Sequence, residues 1–194
     1  MGTLLNRRRY MGGVKGLPYD AEIEYLESTG TQMIISNVTF NAGLHVTAYA
    51  LYTGDFSTTQ ILFAPSGDAG CWCGNVAIKK WGITATGFGD SSVKTRIDIY
   101  YSQQTDLYID GVFKTRQTRS VTPSTPIAIF DRYNPGRKSK AKLYYILIQD
   151  SNDNYLFEGI PVRVGQVGYL YDKVSGQLFG NSGTGDFVLG PDKT

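Results

Sequence analysis

The chain is poor in the residues from which most catalytic and metal sites are made. Its 194 residues include one histidine, His45, and two cysteines, Cys71 and Cys73. A structural zinc site takes about four nitrogen or sulfur ligands, so no zinc centre is expected. The cysteines stand in the run Cys71-Trp72-Cys73. Alternate residues of a strand are roughly 6.6 Å apart, near the upper limit of disulfide Cα separations, and both cysteines are read as free thiols. Long hydrophobic runs are missing too. No stretch of about 18 apolar residues occurs, so no membrane-spanning helix is expected. A secretory leader carries about 7–15 apolar residues after its cations, whereas Arg7-Arg8-Arg9 is followed by Tyr10-Met11-Gly12-Gly13-Val14-Lys15. The chain therefore reads as made in the cytoplasm of a host cell, with release inside a virus particle as its route outward.

What is abundant favours strands. Fourteen Tyr and nine Phe accompany many Val, Ile and Thr, and 23 Gly supply turns, the mixture that many short strands require. The formal charge is +2, unevenly spread. Residues 1–18 carry Arg7, Arg8, Arg9 and Lys15 and no acid, leaving the rest slightly acidic. Nucleic-acid-binding domains show a basic stripe over the folded part, so nucleic acid is not the expected partner. Residues 1–18 read as a basic flexible arm and 19–194 as one β domain, a length that sustains one large core.

Strand signals recur along the body. Thr95, Ile97, Ile99 and Tyr101 alternate with Lys94, Arg96, Asp98 and Tyr100, the period of two of a half-buried strand. Asp110-Gly111 sits between two β-rich runs and predicts a tight hairpin with positive φ at both turn positions. Leu143 to Ile148 is apolar on both faces, as an inner strand would be. Short strands are expected around 45–52, 127–130, 167–171, 177–179 and 187–189, with turns at 150–154 and 134–138. On propensity alone, Asp20 to Glu27 passes for a short helix capped by Asp20. A turn every 8–12 residues or so points to a sandwich or barrel.

Both ends of the body resemble a known group. Glu24-Tyr25-Leu26-Glu27-Ser28-Thr29-Gly30-Thr31-Gln32 is similar to the opening strand pair of concanavalin-A-like, laminin-G-like domains of bacteria and bacteriophages. Gly168 to Phe187, with its Leu-Tyr-Asp strand and Asn181-Ser182-Gly183-Thr184-Gly185 turn, resembles their ending, and Leu107 to Val112 their Tyr-x-Asp-Gly hairpin. The resemblance implies an all-β jelly-roll sandwich of two antiparallel sheets with adjacent first and last strands, which replaces the helix at 20–27. It also implies a phage or prophage virion structural protein, and fold alone does not specify activity.

Glycoside hydrolases on such a sandwich place paired carboxylates along one strand. No Glu-x-Asp-x-x-Glu occurs, and Glu22, Glu24 and Glu27 read as a solvated face. His45 heads an ordinary strand and reads as a satisfied or surface histidine. No cofactor is expected. For calcium, the alternative, Asp68, Asn75, Asp90, Asp131 and Asn134 lie in or near loops without converging spacing. The sharper idea is glycan binding, in which sugars stack on exposed rings beside amides and charges. The candidates are Trp72, Asn75 and Trp81 with Arg132, Tyr133 and Asn134, whereas Arg7, Arg8, Arg9 and Lys15 form the candidate docking arm. The expected function is a non-enzymatic virion structural or decoration protein, located in the particle. Its expected partners are other virion proteins and further copies of itself, with surface or mucus glycans as further ligands. A carbohydrate-binding module of a bacterial surface system is the second reading.

Overall fold

The computed structural model describes residues 16–54, 60–65, 71–75, 78–83, 86–101, 104–118, 124–133 and 136–194. Of the arm cations, Arg7, Arg8, Arg9 and Lys15 lie outside them. Among the described residues every regular element is a strand, and no helix is long and apolar enough to cross a membrane. The first strands are β1 (Ala21–Glu22), β2 (Leu26–Thr29), β3 (Ile34–Thr39), β4 (His45–Tyr52), β5 (Gln60–Ala64) and β6 (Cys71–Asn75). There follow β7 (Ile78–Ile83), β8 (Thr86–Phe88), β9 (Thr95–Tyr101), β10 (Gln104–Ile109), β11 (Val112–Thr118) and β12 (Pro126–Ile129). The last are β13 (Lys140–Gln149), β14 (Tyr155–Val164), β15 (Val167–Asp172), β16 (Gln177–Phe179) and β17 (Val188–Leu189).

All named strand pairs are antiparallel and form two sheets. The larger runs β11-β10-β9-β4-β13-β14-β15-β16, with β2 also on β13, β17 on β2 and β1 on β14. The smaller runs β3-β12-β5-β6-β7-β8. One core lies between them: Val46, Ala48, Ile97, Ile99, Leu107, Leu143, Ile146 and Phe157 of the larger sheet meet Ile34, Leu62, Phe63, Ile127 and Ile129 of the smaller. Full burial of each such side chain contributes roughly 1.5–3 kcal/mol, and this shared core makes the pair of sheets a β-sandwich.

Period two governs β9, where Thr95, Ile97, Ile99 and Tyr101 point inward and Arg96 and Tyr100 outward. The Asp110-Gly111 turn has φ of 51° and 77°, so Ile109 pairs with Val112, as the dipeptide predicts. β13 is the inner strand expected from its two apolar faces. One edge pairs with β4 throughout, and the other passes from β2 to β14. Residues 20–27 are extended and not helical. Asp20 N–H donates to the Arg163 carbonyl, Ala21 and Glu22 pair with Arg163 and Val162, and Leu26 is fully buried. A tertiary partner for each backbone group outweighs local helix propensity.

The two ends of the chain close the sandwich together. Val188 and Leu189 pair with Glu27 and Leu26, and Ile23 bridges to Asp192. Beside this pairing Asn181 Oδ1 accepts from Met33 N–H at 3.0 Å and Gly183 N–H at 2.7 Å, while its Nδ2 donates to the Gly185 carbonyl at 2.6 Å. Gln32 Nε2 donates to the Asp186 carbonyl at 2.7 Å. A Cβ on Gly183 would collide with the Thr31 carbonyl oxygen, which explains glycine there without any appeal to its φ.

Candidate functional site

The sequence-derived constellation does not assemble into a single visible site. Trp72 lies opposite Gly82, and Trp81 opposite Cys73, so the two are one register step apart. Of Trp72, Asn75 and Trp81 the backbone is described and the side chains are not, and Asn134 lies outside the described residues, as does Asp68. Arg132 and Tyr133 are half-buried. They follow Phe130, a fully buried residue held at φ 67°, a left-handed turn that L residues rarely adopt. The turn is secured by Asp131, whose carboxylate accepts from the backbone N–H groups of Arg132 at 2.8 Å, Arg137 at 3.0 Å and Gly136 at 3.2 Å. Asp131 is thus engaged in holding a loop.

A different group of residues is brought together on the outer face of the larger sheet. Antiparallel register sets His45 opposite Tyr100, Tyr100 opposite Asp106, Asp98 opposite Tyr108, and Tyr108 opposite Phe113. All point away from the core, since their strand neighbours Val46, Ile99, Leu107 and Ile109 are buried. The rings touch in sequence across four strands. His45 stacks on Tyr100 at 3.7 Å and 17°, Tyr100 meets Tyr108 at 5.4 Å and 69°, and Tyr108 meets Phe113 at 5.5 Å and 69°. Edge-to-face contacts of this kind contribute about 0.5–1.5 kcal/mol each and fix the ring orientations. Tyr100 is 42% and Phe113 50% exposed, with Tyr108 lower between them. Beyond His45 the same register reaches Gln149 and then Tyr155, which is 52% exposed.

Charged pairs border the row. Arg116 grips Asp106 through Nε and Nη2, both at 2.7 Å, and Arg96 grips Asp98 through Nε at 2.9 Å and Nη2 at 3.0 Å. Asp98 is the buried hub. Its Oδ1 also accepts from Thr47 Oγ1 at 2.6 Å and lies 3.4 Å from His45 Nε2. His45 Nε2 is 3.2 Å from Thr47 Oγ1. Because the Thr47 hydroxyl hydrogen goes to Asp98, the imidazole is the donor in that contact. Burial pushes the Asp98 carboxyl up, but hydrogen bonds from His45, Arg96 and Thr47 together with the Arg96 charge outweigh it, and the group lies below the ordinary carboxylate value. Partial burial, then the negative charge of Asp98, holds the Tyr100 hydroxyl above its ordinary value, so it stays protonated at neutral pH.

Around Ile160 and Val162 the chain covers its own outer face. Tyr19 packs on Tyr171 at 5.0 Å and joins Ile160 and Val162 in a small second core with Tyr145, Tyr169 and Leu178. Burial, then Glu22, raises the Tyr19 hydroxyl to about 12. The half formed by β9, β10 and β11 carries no such cover among the described residues.

The remaining buried carboxylate of note, Asp172, accepts from Glu158 N–H, Val174 N–H, Ser175 N–H and Ser175 Oγ and shapes the β15–β16 turn. Asp90 caps its own loop through Ser92. Among the described residues no three His, Cys, Asp or Glu side chains gather as a metal ion would need. Glu22 and Glu27 lie 3.9 Å from Lys193 and Lys142, and Glu24 is exposed, as a solvated face requires.

The sequence reading passed over Tyr100, Tyr108 and Phe113 as a group, although part of the signal was there. Tyr100 is an aromatic residue on the polar face of an alternating strand, and the Asp110-Gly111 turn fixes Tyr108 opposite Phe113. The His45–Tyr100 pairing depends on β4 meeting β9, which local sequence does not specify. No protein-family model matches the chain, and no curated protein matches it.

Proposed function

We propose that the chain is a non-enzymatic structural or decoration protein of a bacteriophage particle, folded as a concanavalin-A-like jelly roll and presenting a lectin-like face. The observation that carries this reading is the outer face of the larger sheet, where exposed rings are held in register beside carboxylates already committed to arginines. A glycosidase needs one carboxyl free to donate a proton and a second facing it. Here Asp98 and Asp106 are each gripped by an arginine, Asp131 accepts from three backbone N–H groups, and Asp172 accepts from three backbone N–H groups and the Ser175 hydroxyl. The Thr47 hydroxyl donates to Asp98 and not to His45, so the imidazole does not activate it. Support for the phage setting comes from the resemblance of the two chain ends and of the Asp110-Gly111 hairpin. The basic leader with Arg7, Arg8, Arg9 and Lys15 is the proposed docking device, since a short cationic segment can order on an acidic groove of a neighbouring subunit.

Mass spectrometry of gradient-purified particles from a lysate in which the chain is expressed tests this. The full chain is expected in the particles, and a version lacking residues 1–16 is expected to fold but to be lost from them. Purified particles free of the full chain would overturn the reading. The second reading, a carbohydrate-binding module of a bacterial surface system, rests on the same exposed rings and is the one left standing by that result.

A further inference from the structure

The outer face is apolar in two places, and the chain treats them differently. Around Ile160 and Val162 it lays Tyr19 over its own surface. Across β9, β10 and β11 it leaves Tyr100 and Phe113 about half exposed. Exposed apolar patches rimmed by polar groups mark binding surfaces. We propose that the row of Phe113, Tyr108 and Tyr100, backed by the buried His45, is a binding site for a neutral, unbranched oligosaccharide lying across the strands. The inference deepens the lectin-like part of the proposed function and rests on it.

Three features select this ligand. The first is shape. Three strands at about 4.8 Å spacing place the rings of Tyr100, Tyr108 and Phe113 along roughly 10 Å, a track for two or more sugar units in line and not a pocket for one. The half-buried Tyr108 lies between two more exposed rings. The second is chemistry. Sugar rings offer apolar C–H faces to aromatic rings and hydroxyls to planar polar groups alongside. The Arg116–Asp106 and Arg96–Asp98 forks stand beside the row in fixed geometry. The Tyr100 hydroxyl, on an exposed residue whose ring is stacked on His45, adds a hydrogen-bond donor.

The third is charge, which separates neutral from acidic glycans. Both arginines beside the row face a carboxylate of their own, so a uronate or sulfate would meet a balanced field. A second copy of the chain is a poor occupant for a related reason. A stable protein interface covers roughly 800 Å² per partner, which on this face would bury both charged forks, and desolvating such pairs is costly.

The test is a glycan array carrying neutral unbranched hexaoses of glucose, mannose, xylose and N-acetylglucosamine beside hyaluronan and heparin fragments. Titration calorimetry with the best-bound hexaose follows, and light scattering reports the oligomeric state. Binding to one or more neutral hexaoses is expected, weakened at least 10-fold by Tyr100→Ala and by Phe113→Ala and restored to within about 3-fold by Phe113→Tyr. Circular dichroism and melting curves of the variants should match those of the parent chain. Binding confined to acidic fragments, binding indifferent to both alanine variants, absence of binding to any hexaose, or a dimer dissociated by Phe113→Asp would each overturn the inference. None of these results bears on whether the chain is found in phage particles, so the two proposals fail separately.

Discussion

At the seam where the chain ends meet, Asn181 and Gln32 reach backbone groups of distant segments, and the Gly183 site has no room for a side chain. On the open half of the outer face, Tyr100 and Phe113 keep about half of their surface in contact with solvent, and the arginine–aspartate pairs beside them join residues 2 and 10 apart in sequence. Both regions are ordered by hydrogen bonds of similar length. In the seam the bonds join residues up to 154 apart in sequence and define the fold, whereas on the face they fix what is presented. The motifs at the two chain ends therefore report how the sandwich closes, and on the surface available for recognition the Asp110-Gly111 hairpin places Tyr108 without signalling Tyr100 or His45.

The largest expected effect lies at the seam. Asn181→Ala removes the acceptor of Met33 and Gly183 N–H and the donor to the Gly185 carbonyl. Leaving such groups unpaired costs roughly 1–3 kcal/mol each where water cannot replace the bond. With Asn181 half-buried, a loss of about 2–3 kcal/mol in urea unfolding is expected. A loss below about 0.5 kcal/mol would mean that the ends are held by strand pairing alone, and the contrast with the face would weaken.

The buried hub beneath the face comes next, because there a structural and a displayed group share one carboxylate. Asp98 titrates below its ordinary value in the folded chain. Its stabilising contribution is therefore complete above the unfolded value of about 3.9 and is lost as pH falls through the lower folded value. Asp98→Asn is expected to cost about 1–2 kcal/mol at pH 7, as for hydrogen bonds to a charged group. The gap between parent and variant should shrink as pH falls below about 4. A gap independent of pH from 7 to 2 would show that the amide replaces the carboxylate and that Arg96 needs no counter-charge.

What the sequence made legible follows the same division. The alternation in β9, the Asp110-Gly111 turn, the two-faced β13 and the joining of first and last strands are local patterns or end motifs, and each is present in the structure. The helix suggested by Asp20 to Glu27 failed because long-range partners decide those backbone bonds. Residue type alone points to the tryptophans as binding residues and gives tyrosines on a wet strand face no distinction. Which side of a sheet stays uncovered depends on where Tyr19 comes to rest and on β4 pairing with β9, neither of which has a short-range signature.

The smallest effect sharpens the comparison most, since it sets bond against burial. The Arg116–Asp106 fork has two bonds of 2.7 Å, shorter than the 3.0 Å bond that Asn181 makes across the seam to Met33. Arg116 is exposed, though, with 57% of its side chain in solvent, and such a pair exchanges protein contacts for water contacts of nearly equal worth. Arg116→Ala is therefore expected to leave the melting temperature within about 1 °C of the parent, a difference that vanishes in about 1 M salt, where screening acts within roughly 3 Å. In the hexaose titration the same variant should bind several-fold more weakly, because Asp106 beside Tyr100 loses the partner that orients it. If melting shifts by many degrees and binding does not change, the fork belongs with the seam as a structural device, and geometry alone would no longer distinguish the two regions.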